Sequence, residues 1–154
     1  MLDARFLDAD LLQCALARHY EPRFGHGKVS IGNFGAYDIE FDKCTVEVKC
    51  DEMAATTGNA CIEYWNSGTN KPTGILETQA RLWVHCVPSG SKLMCYEMGV
   101  KTLTRLCIEI GRVKAVGIGG MSLCKLLPMD KIKQISSQVF ELDYDIYGRR
   151  DSAA

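Results

Sequence analysis

The stretch YDIEFDKCTVEVKC, residues 37–50, contains two short runs with the composition of β-strands, 37–42 and 44–50. A single residue separates the runs, which predicts adjacent strands joined by a tight hairpin. In the second run, the strand period of two places Glu47 and Lys49 on one face and apolar side chains on the other. A charged pair in the middle of a core strand needs a physical reason, because burying a charge is costly unless the charge is paired.

A metal site would supply that reason. Asp38, in the first run, can reach the same side of the hairpin as Glu47. Two carboxylates and the neighbouring backbone carbonyl of Val48 form a hard oxygen site suited to Mg²⁺ or Mn²⁺. The ammonium group of Lys49 would orient a water molecule or stabilise charge on a phosphate. The alternative is a solvated pair on an exposed strand, which is what Glu-x-Lys alone indicates.

The remaining periodic segments predict a mixed α/β domain. A helix over 7–20, with Asp8 as its N-cap, ends in the proline- and glycine-containing stretch 21–28. The other predicted elements are a strand over 60–65, a short helix from residue 75 that runs into a strand over 83–87, a turn PSGS followed by a strand over 92–98, a helix over 100–110, a glycine-rich loop over 111–120, a strand over 121–127 and a terminal helix over 128–139. This order favours a mixed central sheet with flanking helices in a single domain, residues 1–147, followed by a disordered tail, 148–154.

The charge balance gives no overall signal for a nucleic-acid partner. Eighteen basic residues stand against nineteen acidic ones, so DNA binding would need local basic groups. No apolar run approaches the ~20 residues of a membrane-spanning helix, and no signal peptide opens the chain. We therefore expect no membrane partner and a cytoplasmic location.

The eight cysteines indicate buried, reduced thiols. None forms a Cys-x-x-Cys pair, and no Cys/His cluster has the spacing of a zinc site. Most have apolar neighbours, as in RLWVHCV and TRLCIEI, so they are expected to serve as small hydrophobic side chains. This usage fits a reducing compartment.

The pattern of Asp38, eight intervening residues and then Glu47-Val48-Lys49 resembles the PD-(D/E)xK nuclease superfamily, with Tyr37 in place of the proline. The strings EVKCDEMAATTGNACIEY and KPTGILETQARLWVHCV resemble small phage and viral members close to Holliday-junction-resolvase-like nucleases. The resemblance covers about residues 8–127.

The resemblance implies a restriction-endonuclease-like core of a helix, three strands, a helix and a further strand. It also implies Mg²⁺- or Mn²⁺-dependent hydrolysis of DNA phosphodiesters, here on branched DNA or DNA of recombination and replication, by a viral protein in the host cytoplasm. Asp38 and Glu47 would bind the metal together with the carbonyl of Val48, and Lys49 would be the catalytic lysine.

Accessory groups are less determined by the sequence. Many members of the superfamily place a glutamate on the first helix; here Gln13 occupies that neighbourhood, and Glu21 is the nearest acid that would replace it. Glu63 would pair with Lys49 or form an ordinary salt bridge at a sheet edge. Thr78 and Gln79 would line the same cleft, with capping and turn roles as the alternative.

DNA contacts are expected from the segment EPRFGHGKVSIGNFG. Its cationic side chains Arg23, His26 and Lys28 would hold phosphates from a flexible loop, with Phe24 or Phe34 stacking on bases.

Two other functions remain open from the sequence. One is a catalytically silent DNA-binding or packaging module with the nuclease fold, which the absent helix glutamate favours. The other is a RecB-like end-processing exonuclease. Symmetric cleavage of two strands would need a homodimer, since one domain offers one site.

Overall fold

The computed structural model of this protein describes the backbone of residues 4–30 and 35–143, with side chains from residue 10 onward. The predicted tail, 148–154, and Phe34 lie outside the described residues. Four helices are present in the described part: α1 (Ala4–Phe24), α2 (Ala54–Thr57), α3 (Val100–Ile110) and α4 (Met129–Ile135). The strands of the described part are β1 (Gly27–Val29), β2 (Ile39–Phe41), β3 (Thr45–Cys50), β4 (Asn59–Asn66), β5 (Lys71–Pro72), β6 (Leu82–Ser89), β7 (Lys92–Gly99), β8 (Arg112–Val116), β9 (Ser122–Pro128) and β10 (Gln138–Asp143).

The central sheet is mixed and six-stranded, in the order β1-β2-β3-β6-β7-β10. The predicted hairpin is confirmed: β2 and β3 are antiparallel, with Ile39 opposite Val46. β3 and β6 are parallel, and the chain between them is the long crossover that parallel strands require. The predicted mixed α/β class with a mixed central sheet is therefore confirmed.

The third predicted strand, over 60–65, forms as β4, but it does not join the central sheet. It belongs to a second, antiparallel sheet in the order β5-β4-β9-β8. In the central sheet, the three-stranded antiparallel unit is β1-β2-β3 instead. The apolar pattern of β4 shows that it is buried on one face, but such a pattern does not identify the sheet in which the strand pairs.

Two hydrophobic cores lie on the two faces of the central sheet. Helix α1 covers the first face, where Leu12 and Leu16 pack against Val46 and Val48 of β3. The second core joins Trp83 of the sheet to β4, β9, α3 and α4. Because β3 has a protein layer on both sides, Glu47 is buried rather than exposed on the far face.

Helix α1 continues to Phe24, beyond the predicted end at residue 20. Pro22 lies in the last turn, and the helix ends two residues after it. The helix stops at Gly25, whose φ of 86° is left-handed and whose N–H bonds to the carbonyl of Glu21.

Three predicted elements in the second half of the chain differ from the structure. The predicted glycine-rich loop over 111–120 contains strand β8, and the short helix from residue 75 is a single 3-10 turn, Gly74–Leu76. The terminal helix ends at Ile135 and gives way to β10. In β10, Phe140 and Leu142 share one face and join the first core, so pairing with β7 overrides the helical pattern there.

No helix among residues 4–30 and 35–143 is both long and apolar enough to cross a membrane.

Candidate active site

A cavity of about 490 Å³, called the acidic cavity below, brings the three predicted core residues together. Asp38, Glu47 and Lys49 all line it. Its other charged lining residues are Glu63 of β4, Lys71 of β5, and Glu77 after the 3-10 turn. Four carboxylates therefore face two ammonium groups, which makes the cavity attractive to cations.

The end of the β2–β3 ladder positions Asp38. The last paired residues are Ile39 and Val46, so Val48 lies beyond the ladder on the same edge of β3. Its N–H donates to Oδ2 of Asp38 at 2.7 Å. Because the N–H and C=O of one strand residue point to the same edge, the Val48 carbonyl faces the Asp38 side of β3 as well.

Two neighbours hold the carboxylate of Glu47. Nζ of Lys49 lies 3.5 Å from Oε1, and Oγ1 of Thr78 lies 3.2 Å from Oε2. The Thr78 hydroxyl also lies 3.1 Å from the carbonyl of Ala36, and its single proton can be donated to only one of the two at a time. Thr78 therefore contacts Glu47, although it is not among the residues that line the acidic cavity.

Both carboxyl groups are shifted toward protonation. Burial, together with the neighbouring Asp38 charge, raises the pKa of Glu47 to about 7 against the opposing effects of Lys49 and Thr78. Burial also raises the pKa of Asp38, opposed by the Val48 N–H and the Lys49 ammonium. Two facing carboxylates that are poorly compensated are the electrostatic situation that a divalent cation relieves.

The donor set fits a hard cation that keeps several waters. Asp38, Glu47 and the Val48 carbonyl are oxygen donors of the type that Mg²⁺ and Mn²⁺ prefer. Within residues 4–30 and 35–143, no group of three or more His, Cys, Asp or Glu side chains is close enough to hold a metal. A bound ion would be held by the carboxylates of Asp38 and Glu47 and the Val48 carbonyl.

Sequence reasoning missed Glu77 and Lys71. Glu77 lies in the predicted short helix from residue 75 and Lys71 in a turn-rich stretch, and the local hint is that Glu77 precedes Thr78. The crossover between β3 and β6 brings this segment back to the cavity. Such a return is a property of the tertiary fold, which the local sequence does not encode.

Three predicted accessory residues are not brought to the cavity. Gln13 and Glu21 are on α1, which packs on the opposite face of the central sheet from Glu47. Gln13 is half-buried and Glu21 is exposed. The side chain of Gln79 is exposed, and only its backbone N–H makes a contact, with the Ala36 carbonyl at 2.7 Å.

The residues predicted to contact DNA from a flexible loop lie instead at the end of α1 and in and beside β1. Arg23 lies in the last turn of α1, where Nη1 is 2.6 Å from Oε1 of the fully buried Glu97. Lys28 belongs to β1, and the His26 N–H bonds to Asp42. Phe24 is half-buried and packs against the first core. None of these residues lines the acidic cavity.

A second cavity of about 810 Å³, called the large cavity below, adjoins the acidic one. Lys49 and Glu63 line both. Other lining residues are Asp51, Cys61, Trp83, His85, Arg112, Lys114, Val116, Ser122, Cys124 and Leu126. The large cavity therefore runs from the centre of β3 and β6 to the second sheet.

A hydrogen-bond chain of three side chains lies along the wall of the large cavity. Nε1 of Trp83 donates to Nδ1 of His85 at 3.3 Å, and Nε2 of His85 lies 2.9 Å from Oδ2 of Asp51. Because Nδ1 accepts, the proton of a neutral His85 is on Nε2 and donates to Asp51. Burial works to raise the pKa of Asp51, but its hydrogen bonds, first that from His85, lower it overall. The Lys49 ammonium lies 6.0 Å from the ring centre of Trp83.

All eight cysteines are free thiols. Four are buried as expected, namely Cys86, Cys95, Cys107 and Cys124. The other four are exposed or half-buried, so the prediction of general burial is wrong for half of them. The apolar neighbours of Cys61, Ala60 and Ile62, lie on the opposite face of β4, whereas Cys44 and Cys50 have only polar or charged neighbours in sequence.

No family model matches this chain, and a search of the curated proteins found no match.

Proposed function

We propose that this protein is a divalent-metal-dependent DNA nuclease that hydrolyses phosphodiester bonds, of viral origin, and that it acts on branched DNA or DNA of recombination and replication. The observation that carries the proposal is the convergence of Asp38, Glu47 and Lys49 on one acidic cavity. A solvated surface pair, the alternative for Glu47 and Lys49, would leave the glutamate exposed, whereas only 8% of its surface is accessible.

Asp38 and Glu47 would hold the ion, with the Val48 carbonyl as a third oxygen donor. Bound there, a divalent ion supplies Lewis-acid stabilisation of the negative charge on the phosphate. Thr78 and Lys49 fix the Glu47 carboxylate from two sides. The Lys49 ammonium, half-exposed to the cavity, has donors left to orient the attacking water or to neutralise charge as one P–O bond breaks.

The strand connections also support the proposal. A helix, three antiparallel strands and then a strand parallel to the third occur here as α1, β1-β2-β3 and β6. The resemblance stated for the sequence implies a helix, three strands, a helix and a further strand, an order in which the sequence assigned the third strand to residues 60–65. The connection between β3 and β6 departs from it, because it carries only the four-residue helix α2, with β4 and β5.

Replacing Lys49 with Met tests the proposal most directly. We expect the turnover of four-way junction, flap, single-stranded or linear duplex DNA in Mg²⁺ to fall by about 10²–10³, because a charge-stabilising group is lost. DNA affinity, measured by gel shift in Ca²⁺, should stay close to that of the wild type. Lys71→Met is the matched control: it removes the other ammonium of the same cavity and should cost only a few-fold.

Two results would contradict the proposal. In one, Lys49→Met cleaves as fast as Lys71→Met. In the other, the wild type binds these DNAs but cleaves none of them in Mg²⁺ or Mn²⁺, which would identify the silent DNA-binding module instead.

A further inference from the structure

The large cavity has the chemistry of a site for an unpaired nucleotide. Its accessible apolar side chains are Met53, Val116 and Leu126, whereas the indole of Trp83 lies beneath the cavity floor and is fully buried. Its volume of about 810 Å³ lies in the range that encloses a small organic ligand, roughly 300–1,000 Å³. A nucleotide can enter such a space, whereas a double helix cannot.

Two cations line the outer wall of this cavity. β8 is the edge strand of the second sheet, and its period of two places Arg112, Lys114 and Val116 on the cavity side. Pairing with β9 sets Arg112 opposite Leu126 and Lys114 opposite Cys124. Both cations are exposed, and neither forms a salt bridge with another residue in the described part of the chain.

The large cavity adjoins the acidic cavity, because Lys49 and Glu63 line both. A strand whose phosphate lies beside Lys49 can therefore place its neighbouring nucleotide in the large cavity. Cations along an edge bind the backbone of unpaired nucleic acid, and an apolar cavity beside them can take up a base.

We propose that the large cavity binds an unpaired nucleotide next to the scissile phosphate, with flanking phosphates held by Arg112 and Lys114. This inference rests on the proposed nuclease function and adds to it a requirement for a single-stranded segment in the substrate. The charged residues that recognise DNA are then on β8, in the segment that the sequence predicted to be a loop.

Binding in Ca²⁺ without turnover tests the inference. We expect fluorescence anisotropy to show tighter binding of a single strand, or of a duplex with an unpaired flap, than of the blunt duplex. The double variant Arg112→Ala/Lys114→Ala should bind the single strand more weakly. The slope of log affinity against log salt should become shallower by about 1.4, from ~0.7 for each lost phosphate contact.

The matched control is Lys101→Ala/Lys133→Ala. It removes the same charge from exposed positions on α3 and α4 that line neither cavity. The control should keep the wild-type slope, so a change in the test variant reports position rather than net charge.

Alkylation of cysteines gives an independent readout of entry into the cavity. Cys61 is half-buried in the cavity wall, whereas Cys14 is exposed on α1 and lines neither cavity. Bound single-stranded DNA should protect Cys61 from iodoacetamide and leave Cys14 unprotected, as measured by peptide mapping.

Any of three results overturns the inference: equal binding of blunt duplex and single strand, a test variant with the salt slope of the control, or Cys61 unprotected by bound DNA. The proposed function fails separately. A wild type that cleaves DNA while the test variant matches the control keeps the nuclease and removes the nucleotide site. A wild type that binds as expected but never cleaves keeps the nucleotide site and removes the nuclease.

Discussion

At the scale of single residues, Glu47 shows how burial and function oppose each other. The side chain lies between two protein layers, and burial and Asp38 raise its pKa from 4.5 to about 7. Between these two values the folded state binds more protons than the unfolded state, so the stability of the metal-free protein falls as pH rises. Above about pH 7 this carboxylate destabilises the fold.

Glu47→Gln should therefore stabilise the metal-free protein at pH 8, by up to about 3 kcal/mol if the neutral amide keeps the Thr78 hydrogen bond. Relative to wild type, its advantage should shrink toward pH 5, where Glu47 is protonated. Urea unfolding in EDTA at the two pH values measures both quantities. Adding Mn²⁺ should raise the stability of the wild type and leave that of the variant almost unchanged.

Glu109→Gln is the control for this experiment, since Glu109 is exposed on α3. The Glu109→Gln variant should have the same free energy of unfolding as the wild type at both pH values. A Glu47→Gln variant that is less stable than the wild type at pH 8 would show that the ion pair with Lys49 outweighs the burial of the carboxylate.

At the scale of elements, the 3-10 turn Gly74–Leu76 positions the far wall of the acidic cavity. It precedes Glu77 and Thr78, and it begins at a glycine with a left-handed φ of 51°. A Cβ at Gly74 would collide with the backbone carbonyl of Glu63 on β4. The turn can approach β4 this closely because position 74 has no side chain.

Gly74→Ala should destabilise the protein through both strain and collision. Gly58, which has a φ of 70° and nothing within 4 Å of an added Cβ, isolates the strain alone. We expect Gly58→Ala to cost about 1–2 kcal/mol, the cost of a left-handed conformation for an L residue, and Gly74→Ala to cost more. Urea unfolding measures the difference between the two, and equal costs would mean that the turn moves away freely.

At the scale of the whole molecule, the two hydrophobic cores share the same strands. On β6, Val84 and Cys86 contribute to the first core, while Trp83 contributes to the second. On β7, Cys95 and Met98 divide in the same way. Because β6 and β7 belong to both cores, one core cannot unfold without disrupting the other. The described part of the chain should therefore unfold in one cooperative transition.

Leu16→Ala in the first core and Leu103→Ala in the second test this cooperativity. Both side chains are fully buried, so each variant should lose about 2–5 kcal/mol. In each variant, tryptophan fluorescence and far-ultraviolet circular dichroism should give one shared urea midpoint. If Leu16→Ala shifted the dichroism midpoint and not that of Trp83 fluorescence, the two cores would be independent units.

The sequence by itself determined the features that depend on local pattern. The period of two in residues 44–50 predicted that Glu47 and Lys49 share a face, and the short link predicted the β2–β3 hairpin. The helical spacing of Leu11, Leu12, Ala15, Leu16 and His19 predicted one buried face of α1; Leu12, Ala15 and Leu16 are buried there, whereas Leu11 and His19 are exposed. These features follow from backbone geometry, which repeats over a few residues and can be recognised without knowing the neighbours.

Only the tertiary structure decided which distant segments meet. It placed β4 in a second sheet, brought Glu77 and Thr78 back to Glu47, and made β8 the wall of the large cavity. It also places Arg23 in an ion pair with Glu97, where the sequence had predicted a DNA contact. The physical reason is that strand pairing and burial depend on partners far along the chain, and several pairings satisfy one local pattern equally well.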